Sequence, residues 1–163
     1  MTGKFTKEEI MGVIFSKLRP SLQDVFADVG CGSGAVTEFF APYVKKAYAV
    51  DLEISEETRS RLERLENVVL MEMDGREFLK KYRPDLVFIG GTRGVEEMLE
   101  HCSARRVVVN AARIEVALSV AKKMKEKGTF REIVLVNAAK SYELAGGLAF
   151  RPLNPVFVVF GSV

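Results

Sequence analysis

The stretch Asp28-Val29-Gly30-Cys31-Gly32-Ser33-Gly34 constrains this chain more than any other. The apolar run Val25-Phe26-Ala27 before it has the character of a buried parallel strand, and Ala35 to Ala41 after it reads as a helix. Three glycines therefore occupy a strand-to-helix turn. There they admit backbone angles closed to residues with a β-carbon and let the main chain approach a ligand closely. The helix start behind them offers unpaired backbone N–H groups.

Glycines in such a turn fit a phosphate site, a bare structural turn, or a site for a ligand without phosphate. Two details separate these. The spacing is G-x-G-x-G, whereas dinucleotide sites use G-x-G-x-x-G, whose third glycine serves helix–strand packing. Asp28 also stands two residues before the first glycine. A carboxylate there repels a pyrophosphate but attracts an amino group or a sulfonium. S-adenosylmethionine (SAM) carries both and has no phosphate, so the turn, from Asp28 through Gly30, Cys31, Gly32 and Ser33 to Gly34, points to that cofactor.

Composition sets the outer bounds. At 163 residues the chain is expected to form one domain, 1–163, large enough for a proper core. Hydrophobic residues at 48% and charged residues at 28% describe an ordinary globular chain, and a net charge of +2 is too small to announce a nucleic-acid binder. The start, Met1 to Glu9, is polar and carries acids, unlike a signal peptide, and no apolar run approaches the roughly 20 residues of a membrane span. Cys31 and Cys102 form no metal pattern and are expected as free thiols in a reducing cytoplasm.

Further motifs follow in chain order. Thr6-Lys7-Glu8-Glu9 reads as a capping box opening a helix through Ile10, Ile14 and Leu18 that Pro20 stops. Ala47-Tyr48-Ala49-Val50 is a second strand ending at Asp51, placed about 20 residues beyond the glycine turn, where doubly wound folds set the acid that grips ribose hydroxyls. Glu53 is a weaker substitute. Ser55 caps a charged, solvated helix. Val68 to Met71 is a third strand, followed by Met73-Asp74-Gly75. In a SAM site this turn meets adenine; as a plain turn, Asp74 caps the helix Arg76–Tyr82. Leu86 to Ile89 is a fourth strand ending in Gly90-Gly91-Thr92-Arg93-Gly94, a second glycine-rich strand end beside the first crevice. A helix Val95–Glu100, a strand Arg105–Asn110 and an amphipathic helix Glu115–Lys127 come next. Ile133 to Val136 and Val156 to Phe160 are β-rich with no helix between them, which implies antiparallel pairing. The intervening loop, Ala138 to Pro155, is too long for a simple hairpin and is expected to add strands or form a subunit contact. The fold class is thus α/β: a Rossmann-like, mostly parallel sheet with helices on both faces and a C-terminal antiparallel hairpin.

On these residues the chain resembles the decarboxylating cobalt-precorrin-6B carbon-15 methyltransferases of anaerobic cobalamin synthesis, class I SAM-dependent enzymes. The shared features are the Thr6-Lys7-Glu8-Glu9 opening, Asp28 to Gly34 with Val36-Thr37, Ala49-Val50-Asp51, Gly90-Gly91 with Gly94, and Asn154-Pro155-Val156. They span nearly the full length. The pattern departs at Ser103-Ala104-Arg105 and around Lys140 to Arg151. The resemblance implies SAM contacts at Thr6, Gly30 through Gly34, Asp51 and Gly75, and a homotetramer joined through the tail loop. It also implies a tetrapyrrole acceptor that is methylated as an acetate side chain loses carbon dioxide.

Such an acceptor is a polyanion. Gly90 and Gly91 then form the surface facing the transferred methyl, and Arg93, Arg113, Lys140 and Arg151 are candidates to hold carboxylates. His101 is expected at a helix end on the far side from the crevice. No metal is expected, nor a nucleic-acid or membrane partner; the sequence assigns no catalytic residue, and neither step demands a strong protein base. Two rivals share the scaffold: an RNA or protein methyltransferase, and a SAM-binding module without turnover. Against the first, strand four ends Ile89-Gly90-Gly91-Thr92, without the Asn/Asp-Pro-Pro-aromatic element that holds an amine.

Overall fold

A computed structural model describes residues 8–163. The expected strand-to-helix alternation is present. In chain order the elements are α1 (Glu8–Leu18), β1 (Val25–Val29), α2 (Ala35–Phe40), β2 (Lys46–Asp51), α3 (Glu56–Leu62), β3 (Val68–Glu72), α4 (Gly75–Lys81), β4 (Leu86–Ile89), α5 (Val95–His101), β5 (Arg106–Ala111), α6 (Ile114–Glu126), β6 (Phe130–Val136), β7 (Ala139–Leu144), β8 (Gly147–Pro152) and β9 (Val156–Ser162). A short 3-10 turn, Ala41–Tyr43, links α2 to β2 around Pro42. Thr6, with its capping role and its expected ligand contact, lies outside the described residues.

Seven strands form one sheet in the order β3-β2-β1-β4-β5-β9-β6. β1 to β5 pair in parallel. β9 runs antiparallel to both β5 and β6, as the helix-free tail predicts, and lies between them. The loop from Ala138 to Pro155 does add strands: β7 and β8 form a separate antiparallel hairpin.

Strand alternation sorts the core into two layers. Ala27, Val29, Val87, Ile89, Val107 and Val109 face α4, α5 and α6, where Phe78, Leu99, Val120 and Met124 are buried. Phe26, Phe88, Val108 and Val158 face α1 and α2, where Ile10, Ile14, Leu18 and Phe40 are buried. Phe26 and Phe40 stack with centroids 4.5 Å apart. Buried runs such as Leu86-Val87-Phe88-Ile89 carry no polar alternation because helices cover both faces of the sheet. α1 runs against the strand direction. Arg106, at the start of β5, donates from Nη1 to the Lys17 carbonyl near the end of α1 at 2.9 Å. The first turn of α1 therefore lies toward the carboxyl end of the sheet, where the glycine turns are.

Candidate active site

The crevice is built at the ends of β1, β2 and β4. Gly30 N and Cys31 N both donate to the Val50 carbonyl, at 2.8 and 3.0 Å, and Gly90 N donates to the Val29 carbonyl at 2.9 Å. These bonds draw the two glycine turns together. Gly30 has φ +81°, and a β-carbon on it would sit 2.8 Å from Gly91 N, so no other residue fits without moving the turn. At Gly75 a β-carbon would meet Val29 Cγ1 at 2.5 Å, which keeps the first turn of α4 pressed onto the crevice floor.

Asp28 shares its face of β1 with Phe26 and is 1% exposed. Thr37 Oγ1, in α2, donates to Asp28 Oδ2 at 2.7 Å, whereas Oδ1 is buried with no partner. Burial pushes this carboxyl up to about 7; the Thr37 hydrogen bonds oppose that, and the Asp51 charge adds to it. Asp28 floors a narrow recess of about 50 Å³ with Gly30, Cys31, Gly32, Ser33, Phe88 and Gly90. An orphaned, desolvated carboxylate oxygen at the end of a recess is a receptor for a cation. Cys31 packs beside it, and burial together with the charges of Asp28 and Asp51 pushes its thiol up, so it is an inert wall.

Across Gly30 the recess meets a larger cavity of about 250 Å³, lined among others by Asp51, Leu52, Gly75, Arg76, Arg93 and Met98. Asp51 Oδ2 accepts from Gly32 N and Oδ1 from Leu52 N, both at 2.9 Å. The two bonds fix the carboxylate, and each oxygen keeps acceptor capacity for a hydroxyl. Gly34 starts α2 from the left-handed region, and the α3 residue Thr58 donates from Oγ1 to the Gly32 carbonyl at 2.8 Å, so α3 braces the turn.

Asp74 is the cap of α4 as read from sequence, but it does more. Its Oδ1 accepts from Arg76 N at 2.8 Å and Arg76 Nε at 2.9 Å, and its Oδ2 from Arg76 Nη2 at 2.8 Å. Those bonds hold the carboxyl down to about 2. Most of its acceptor capacity is therefore spent on Arg76, leaving one oxygen lone pair for a ligand amine. Arg76 also reaches Glu97 of α5 at 3.3 Å. Sequence reading passed over Arg76; its signal was an arginine two residues after a capping aspartate.

The basic candidates separate. Arg93 lines the same cavity as Asp51. Arg113 lines a different groove, about 360 Å³, between the starts of α5 and α6, and lies 3.5 Å from Glu115. Lys140 and Arg151 are opposite one another on the β7–β8 hairpin. Lys140 Nζ pairs with Glu9 Oε1 of α1 at 3.0 Å, and the Arg151 guanidinium lies 4.6 Å from the Tyr142 ring centroid. The hairpin face carrying both thus turns toward the start of α1. Gly90 and Gly91 form the ridge between recess and cavity, and His101 ends α5 toward the amino end of the strands, away from the crevice.

A parallel sheet completed by one reversed strand in this order, with the ligand crevice at the ends of β1, β2 and β4, defines a class I methyltransferase fold. Within that class, a model of the precorrin methyltransferase domain matches residues 1–160, and the chain belongs to that family. A protein of Archaeoglobus fulgidus named probable cobalt-precorrin-6B C(15)-methyltransferase (decarboxylating) is 83% identical over 162 residues, covering 99% of each chain. The crystal structure of precorrin 8W decarboxylase from Methanobacterium thermoautotrophicum superposes with a TM-score of 0.91 at 29% identity, covering 98% of this chain and 92% of that one. That of precorrin-6y C5,15-methyltransferase from Geobacter metallireducens gives 0.88 at 27% identity, covering 100% and 93%.

Proposed function

We propose that this chain is the SAM-dependent methyltransferase of anaerobic cobalamin synthesis that methylates carbon 15 of cobalt-precorrin-6B as the carbon-12 acetate side chain loses carbon dioxide. The observation that carries this reading is the 83% identity, over almost the whole of both chains, to the Archaeoglobus fulgidus relative of that name.

The crevice fits the cofactor on its own terms. The partnerless Oδ1 of Asp28 suits the ammonium of the methionine end, and the Gly30–Gly34 turn gives it a bare backbone cradle. Asp51, fixed by Gly32 N and Leu52 N, holds the ribose hydroxyls. Leu52, Gly75 and Met98 supply apolar contact for adenine, with the remaining lone pair of Asp74 for its amine. SAM supplies a methyl group on a sulfonium, already activated for transfer. The protein's work is then orientation and exclusion of water. Gly90 and Gly91 leave the ridge low enough for the acceptor carbon to approach from the β4 side. Decarboxylation leaves an electron pair that the conjugated macrocycle absorbs, so no strong protein base is needed. Arg93, which lines the cavity, is the side chain assigned to an acceptor carboxylate, and Lys140 and Arg151 on the hairpin are the further candidates.

The enzyme works in the cytoplasm as a homotetramer. Among the described residues no helix is long and apolar enough to cross a membrane, and both cysteines are free. The β7–β8 hairpin supports the assembly: Leu148 is 73% and Phe150 70% exposed, and an isolated two-stranded hairpin is only marginally stable.

The test is incubation of the purified protein with SAM and cobalt-precorrin-6B, read by mass spectrometry. One added methyl group and one lost carbon dioxide are expected. S-adenosylhomocysteine binding by calorimetry with no product from the tetrapyrrole would sink the substrate assignment and leave the cofactor; no binding would sink both.

A further inference from the structure

Asn110 interrupts an otherwise apolar strand, Val107-Val108-Val109-Asn110-Ala111. Alternation sends Arg106, Val108 and Asn110 to one face of the sheet. Arg106 reaches α1 from that face, and Val108 is buried in the layer beneath α1. Asn110 lies on the same face at the carboxyl end of β5, paired in register with Val158 of β9. Its side-chain carbonyl oxygen, Oδ1, is buried with no hydrogen-bond partner. A buried amide oxygen without a partner costs stability, and a valine or leucine here would avoid that cost. The position is polar for something other than the fold.

Its neighbours say what. Asp28, whose Oδ1 is likewise buried without a partner, is on β1, two strands away across β4. On β4 Phe88 is level with Asp28, and Gly90 is the next residue of this face; the Phe88 ring edge reaches over Gly90, where a β-carbon would lie 3.2 Å from Cε1. Two strand spacings and an offset of two residues along the strands set them about 12 Å apart. Asn110 lies two strands from Asp28 and two residues further toward the carboxyl end of the sheet, the end from which an acceptor has to approach a donor held at Asp28. A carboxamide offers an acceptor and a donor in one plane. The group that answers both at once is a carboxyl, whose O–H donates to Oδ1 and whose C=O accepts from Nδ2.

We infer that Asn110 seats a carboxyl group of the methyl acceptor and so sets which carbon is presented to the donor. This rests on the tetrapyrrole reading above, whose substrate carries several acid side chains. The apolar surroundings, Val108 and Val158, favour the neutral acid in this seat.

The test uses the full chain with Asn110→Leu, which keeps the shape and removes both polar ends, and Asn110→Asp. Melting temperature, S-adenosylhomocysteine affinity, tetrapyrrole binding by absorbance and kcat/KM for the tetrapyrrole are measured for each. Asn110→Leu is expected to melt at or above the wild type, to bind S-adenosylhomocysteine unchanged, and to lose about tenfold or more in tetrapyrrole kcat/KM. Asn110→Asp is expected to regain activity as pH falls, because its own carboxyl must be neutral to pair with another. Asn110→Leu with wild-type acceptor kinetics, at any melting temperature, overturns the inference. A wild-type protein that binds S-adenosylhomocysteine but no tetrapyrrole removes the substrate reading and this inference with it.

Discussion

Replacing Asp28 by Asn separates what this residue does for the fold from what it does for the ligand. Its carboxyl is raised from 3.8 to about 7, mainly by burial. A shift of about three units, at about 1.36 kcal/mol each, makes the ionised side chain about 4 kcal/mol worse for the folded state than its unfolded reference. The sign follows from proton binding: with the folded pKa above the unfolded one, the folded state holds the proton more tightly. Stability then falls as pH rises from about 4 to about 7 and is level beyond. Asn keeps the Thr37 hydrogen bond through its carbonyl, but places an amide N–H₂ where Oδ1 had no partner, which costs about 1–3 kcal/mol. The net expectation is that Asp28→Asn is about 1–3 kcal/mol more stable than the wild type at pH of about 8, and not more stable at pH of about 5. Urea unfolding at the two pH values reads this. Calorimetry with S-adenosylhomocysteine should show weakened binding in the variant. In the wild type below neutrality it should show proton release on binding, because the ligand's ammonium ionises Asp28. Equal pH dependence of unfolding in the two proteins would refute the reasoning.

Gly30→Ala adds a methyl group 2.8 Å from Gly91 N at a left-handed backbone position, so a loss of about 2 kcal/mol or more in denaturant stability is expected, together with S-adenosylhomocysteine affinity. Arg76→Ala removes the fork that holds the Asp74 carboxyl at about 2, and NMR titration should find it back in the ordinary carboxylate range. Asp74 contributes its share of stability above the ordinary aspartate range and loses it as pH falls through about 2; the variant should lack this acid limb. Leu148→Ser with Phe150→Ser should leave the chain monomeric by sedimentation, and an unchanged assembly would clear the hairpin of that role.

The strand-turn-helix from Val25 to Phe40 and the Asp51 strand end were legible because their signals are local: buried runs, glycines and one acid at a fixed remove. Three features were not. The place of β9 depends on pairing with β5 and β6, which no short-range pattern encodes. The β7–β8 hairpin turns at Ala145 and Gly146 with φ 49° and 80°, and alanine does not advertise a left-handed turn. The site's fine structure also depends on the fold: Thr37 supports Asp28 from the next helix, and Arg76 occupies an Asp74 that the sequence left free for adenine. Lys140 was picked by its charge, and Arg93 by charge together with its place in the strand-four glycine turn; the fold puts Arg93 at the cavity and pairs Lys140 with Glu9.

The slotting of β9 between β5 and β6 also dictates an order of events. β6 touches the sheet only through β9, yet residues 137–155 intervene before β9 begins. During synthesis the parallel half, through β5, can close early, while β6 emerges with nothing to zip onto and waits, edge bare, for its late neighbour. A lesion at Val158 or Val159 therefore unhooks two ribbons rather than one, and reaches β5 as well, where Asn110 is paired with Val158.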